Sequence, residues 1–108
     1  MTEALAACAA VGSAGMLHAA WFQRGVRRRL LTLVAGGALV AAIFVARSGA
    51  PDAWTPWLFP PAAWLAGFTV SISARPFAPR GTDLGAALLC AVGALGGVLV
   101  VLGGGRGA

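Results

Sequence analysis

Few side chains in this sequence are equipped for chemistry, and His18 heads them as the sole histidine among 108 residues. It stands four residues before the end of a long apolar run, Leu5 to Phe22. If that run crosses a membrane, the imidazole sits within one leaflet, where an ionisable group is a functional candidate by default. At the same depth the chain offers Thr69, Ser71 and Ser73, near the end of a third apolar run, and Asp83, at the start of a fourth. A cluster of this kind can bind a metal or haem, or relay a proton. A simpler reading makes His18 a neutral imidazole bonded to a neighbouring hydroxyl or carbonyl. One histidine without a second strong ligand makes a poor metal site, so no metal or cofactor is expected.

The other reactive groups are placed less favourably. Small multidrug exporters keep a coupling carboxylate deep in their first helix, where desolvation tunes its pKa. Glu3 lies instead at the outer edge of the first run. Cys8 and Cys90 both fall inside apolar runs. At ~1.5 Å rise per residue their depths differ by on the order of 14 Å, beyond the Cα reach of a disulfide. The sequence contains no Walker loop, nucleotide fingerprint, Ser/His/Asp set or Cys-x-x-Cys pair. The expectation is a chain that is not an enzyme.

Composition decides what must position these groups. Hydrophobic residues make up 59% of the chain and charged ones 10%, with a mean hydropathy of +0.86. Soluble domains carry roughly 45–50% apolar and about 25% charged residues. Too few polar side chains exist to wet a globule, so the chain must share its core with lipid. A net charge of +5 invites a nucleic-acid reading, but the arginines sit at the ends of apolar runs and topology accounts for them. Lysine is absent while Ala and Gly abound, a composition typical of a GC-rich bacterial genome.

The densest charge lies at Arg24, Arg27, Arg28 and Arg29, between the first two apolar runs. Such a stretch cannot lie in lipid and reads as a loop at a membrane face. The positive-inside bias makes that face cytoplasmic. Arg75 and Arg80 fall in the turn between the third and fourth runs, and the opposite side keeps only Arg47 and Arg106. The same arginines suit contact with anionic lipid. The first run lacks the basic flank of a secretory signal. The reading is therefore all-α: an integral bundle of four transmembrane helices, N-out and C-out. The helices fall at about 4–22, 30–46, 57–74 and 83–102, in the inner membrane of a bacterium.

Details of the connections follow from turn chemistry. Gly49 and Pro51 mark the outer loop, with Trp54 and Trp57 as an aromatic anchor beyond it. For the third helix two readings compete: it opens at Pro60 or Pro61, or it begins near Trp54 and bends at that pair. Thr82 or Asp83 is placed to cap the fourth helix. Residues from Gly103 onward read as a flexible outer tail.

Helices in lipid associate through close-packed small faces and polar contacts. Gly93 and Gly97 on helix four form such a face, beside a stripe of Ala86, Cys90 and Ala94. Helix one offers Ala7, Val11, Ala14 or Gly15, and His18. Helix two offers Gly36 and Gly37, and helix three Ala63 and Gly67. The glycine pair on helix four serves contact within the monomer or dimerisation.

His18, Arg27-Arg28-Arg29-Leu30-Leu31, Trp64-Leu65-Ala66-Gly67 and Arg75-Pro76 together resemble a family of small bacterial inner-membrane proteins. Members of that family are typically encoded beside siderophore receptors and PepSY-type iron reductases. These pieces are spread from residue 18 to residue 76. It departs from the family in lacking a charged cluster around the histidine and in its Pro60-Pro61 pair. The resemblance implies an accessory role in iron uptake. Residues and resemblance together point to a non-enzymatic accessory protein that packs against a larger membrane partner. The other reading is a small homo-oligomeric transporter or channel with His18 in the path.

Overall fold

The computed structural model describes residues 2–49 and 55–104, all of them in helices or short turns. Helix α1 spans Thr2–Trp21, α2 Val26–Gly49 and α3 Thr55–Ala74. The fourth helix runs as α4, Pro79–Ala91, a π-helical turn at Val92–Gly96, and α5, Gly97–Gly104. Gly49, expected in the outer loop, ends α2, and Gly103 and Gly104, expected in the tail, belong to α5; the rest of that loop and tail and the Glu3 side chain lie outside the described residues.

α1, α2 and α4–α5 are each long and apolar enough to cross a membrane. α3 is as long as α1 and carries Pro60 and Pro61 in its interior; it is not among these three spans. The molecule extends 44 × 23 × 19 Å. Its long axis matches a bilayer of about 40–45 Å including headgroups.

α1 is the central element. Half of its candidate span is buried, against 28% of that in α2 and 22% of that in the fourth helix. Its small residues allow this. Ala6, Ala9, Ala10, Ala14, Ala19 and Ala20 are all buried, so neighbouring backbones approach closely on several sides. One apolar cluster joins Ala6 to Val45 and Ala46, with Phe59, Val98 and Val101 against them. A second joins Ala9, Ala10 and Ala42, with Leu39, Ala63, Trp64 and Ala94 around them. Ser13, the buried hydroxyl of α1, donates to the Ala35 carbonyl of α2 at 2.5 Å. That bond satisfies a polar group that would be costly to leave unpaired in an apolar core.

Glycines set the closest crossings. A Cβ on Gly93 would run into the backbone of Ala9, and one on Gly12 into that of Cys90. Gly67 lies on Val11, with 2.7 Å from its would-be Cβ to the Val11 Cα, and Gly97 lies on the Val45 side chain. Gly93 and Gly97 thus face inward, toward α1 and α2 respectively.

Several expectations need correction. α2 begins at Val26, so Arg27, Arg28 and Arg29 occupy its first turn and not a loop. Gly25 makes this possible. Its φ of +69° lets the chain reverse within a few residues, a conformation Gly adopts without a Cβ penalty. Gly36 and Gly37 do not form the thin face of α2; both are exposed and no heavy atom lies within 4 Å of a Cβ placed there. Ala35, Ala38, Ala42 and Ala46 are buried in their stead. They recur at helical spacing, and the glycine pair is turned away from that stripe.

α3 runs through both prolines from Thr55, so neither Pro60 nor Pro61 opens the helix. Each proline removes one backbone donor. Pro60 is fully buried while Pro61 is exposed. α4 starts earlier than expected, at Pro79 near its N-terminus, and neither Thr82 nor Asp83 caps it. A proline there costs little, because the first N–H groups of a helix have no internal partner. Thr82 instead donates to the Ala78 carbonyl at 2.7 Å.

Candidate functional site

The polar residues collect at the end of the bundle where α1 and α3 finish and α2 and α4 begin. Nδ1 of His18 and Oγ of Ser71 lie 2.9 Å apart and share a hydrogen bond between α1 and α3. Ser71 is buried and His18 half-buried. Phe22 and Phe68 meet the imidazole edge-on, with centroids at 5.3 and 5.4 Å, and Trp64 stacks on Phe68 at 5.4 Å. Helical spacing makes these groupings. Phe22 follows His18 by four residues and Phe68 follows Trp64 by four, so each pair shares a helix face.

A second polar pair closes this end. Arg75 Nη1 donates to Asp83 Oδ1 at 2.7 Å, across the turn between α3 and α4. The Arg75 side chain is mostly covered and that of Asp83 partly so. The guanidinium also lies over the Phe22 ring, 4.3 Å from its centroid, a favourable cation–π position. The turn after α3 is thereby held against the turn after α1.

Of the expected polar cluster, then, only His18 and Ser71 share a hydrogen bond. Asp83 is engaged by Arg75. Thr69 is exposed and donates back to the Leu65 carbonyl of its own helix at 3.0 Å. Ser73 is exposed as well. Period decides this outcome: residues two apart on a helix point about 200° apart, so Ser71 cannot share its inward direction with Thr69 and Ser73. Among the described residues no three His, Cys, Asp or Glu side chains converge to hold a metal. Cys8 and Cys90 are both free thiols.

Arg24, Arg27, Arg28, Arg29 and Arg80 are exposed. Between Arg28 and the aromatic cluster an open groove of about 610 Å³ runs along α1, α2 and α3, with His18, Trp21, Thr32, Trp64 and Phe68 in its walls. Sequence reasoning missed the groove, its aromatic walls and the Arg75–Asp83 pair. The i, i+4 aromatic spacings were the available signal. Nothing in the pattern signalled the π turn beyond the glycine content of Gly93, Gly96 and Gly97.

Chemically the site can hold an apolar or amphiphilic body against a hydrogen-bonded imidazole. All buried side-chain polar atoms among the described residues are partnered, so the interior holds no polar group waiting for a ligand. The chain matches no family model, no curated protein and no solved structure.

Proposed function

We propose that this chain is a non-enzymatic accessory protein of a bacterial inner membrane, crossing it four times and packing against a larger membrane partner. The observation that carries the reading is the outward pair Gly36 and Gly37 on α2. Both face away from the chain's own core with no neighbouring atom within reach. Lipid rewards no such thinning of a helix, whereas a partner helix does, because small residues let two backbones approach. The first-turn arginines of α2 orient the chain with its polar end in the cytoplasm. The resemblance to small proteins encoded beside siderophore receptors makes iron uptake the expected setting and a siderophore-linked membrane protein the expected partner.

The test is a photo-crosslinking residue at Gly37 in iron-limited cells. Capture of one larger membrane protein supports the reading, provided that Gly37→Leu abolishes both capture and iron-dependent growth. Capture of the chain itself, or of nothing, removes it. A second reading, a small homo-oligomeric transporter, draws on the position of His18 in the groove wall. It requires that His18→Ala abolish a flux in liposomes reconstituted with this protein alone.

A further inference from the structure

The apolar groove does not end in apolar surroundings. Beyond Arg28 it continues into a second depression walled by Trp21, Phe22, Gln23, Arg24 and Arg28. The two share Trp21, Phe22 and Arg28. One continuous surface thus has a long aromatic and aliphatic part and a short part with two guanidinium groups. Asp83 is held by Arg75 in the only ion pair among the described residues. Arg24 and Arg28 make no ion pair among the described residues. Both are exposed, and Asp83, the acidic side chain described at this end, is already taken by Arg75. Arg28 also stands in the first turn of α2, where the helix dipole already disfavours positive charge and no acidic residue offsets it. An anion at this place relieves both.

We propose that the groove is a binding site for one anionic diacyl phospholipid, such as phosphatidylglycerol. An acyl chain lies between α2 and α3 against Trp64, Phe68 and Ile72. The headgroup phosphate sits between Arg24 and Arg28, with Trp21 at the level where chain meets headgroup. Charge complementarity selects the anionic headgroup, and the length of apolar wall selects a lipid over free phosphate. The site rests on the membrane placement of α1 and α2, and is independent of any protein partner and of iron.

Tryptophan quenching tests it directly. With Trp54→Phe and Trp57→Phe, the two remaining indoles, Trp21 and Trp64, both line the groove. The full chain is placed in nanodiscs of phosphatidylcholine with a small fraction of lipid brominated in the upper acyl chain. Brominated phosphatidylglycerol should associate with the groove at least about fivefold more strongly than brominated phosphatidylcholine, the scale of one basic residue at an anionic surface. Arg24→Gln with Arg28→Gln should bring the ratio close to one. Arg27→Gln with Arg29→Gln removes the same charge from the same turn and should leave the ratio unchanged. Thr32→Phe, which narrows the groove and keeps all arginines, should lower quenching by phosphatidylglycerol severalfold. Equal quenching by both lipids, or equal loss in the two arginine pairs, overturns the site and leaves only a diffuse basic surface. Helical protein that fails to enter nanodiscs overturns the membrane placement, and the site with it.

Discussion

The guanidinium of Arg75 lies over the ring of Phe22 at 4.3 Å from its centroid. These residues belong to the two turns that, with the first turns of α2 and α4 that follow them, carry six of the eight basic residues. Their contact places both turns at one end of the bundle. The orientation argument needs that arrangement, since two arginine-bearing turns can share a membrane face only if the helices between them run there and back. Arg75 also pairs with Asp83 at 2.7 Å, so one side chain joins the turn after α1, the turn after α3 and the start of α4.

Removing that side chain should loosen the whole end. Arg75→Gln leaves Asp83 without its cation and Phe22 without its cover, and should lower stability by about 1–2 kcal/mol. Arg80→Gln removes the same charge from an exposed, unpaired position and should stay within about 0.5 kcal/mol of the parent. Reversible unfolding in mixed micelles compares the two.

The hydrogen bond between His18 and Ser71 joins α1 to α3, the helix that carries two prolines in its interior. Side-chain hydrogen bonds between membrane helices contribute on average about 0.6 kcal/mol, up to about 1.7. Ser71→Ala should cost an amount in that range. Thr69→Ala should cost less, because Thr69 bonds only to its own helix. The same unfolding assay reads both, and equal effects would place Thr69 and Ser71 on the same footing.

Glycines that look alike in the sequence should respond oppositely. Gly93→Ala sets a methyl group against the Ala9 backbone, which cannot yield as a flexible side chain can. Overpacking of that kind costs about 1–3 kcal/mol. Gly36→Ala meets open space and restricts the unfolded chain, so it should be neutral or stabilising by up to about 1 kcal/mol. Melting temperatures of the two variants in one detergent decide it.

These contrasts show where sequence reasoning succeeds and where it stops. Helix number and approximate placement follow from apolar run lengths and the arginines between them, because partition between water and lipid depends on composition over many residues. The inward faces were partly legible: Gly67 meets Val11 and Gly93 meets Ala9. α2 misled because its core-facing stripe is built of alanines. Ala35, Ala38, Ala42 and Ala46 are small enough for close approach without glycine, and a glycine pair draws attention one residue away from them. The polar cluster shows a related limit: position in an apolar run gives depth along a helix, whereas the direction around it follows from the helical period. Ser71 points in, while Thr69 and Ser73 do not. The first-turn position of Arg27, Arg28 and Arg29 turned on one backbone angle at Gly25, which composition does not encode.

The most direct test of the account is the sidedness of the two turns. Gln23→Cys and Phe77→Cys, each made with Cys8→Ala and Cys90→Ala, put one thiol in each turn while keeping every arginine. A membrane-impermeant maleimide should label both in inside-out vesicles and neither in intact spheroplasts. Labelling of the two from opposite faces, or of both from outside, would contradict it.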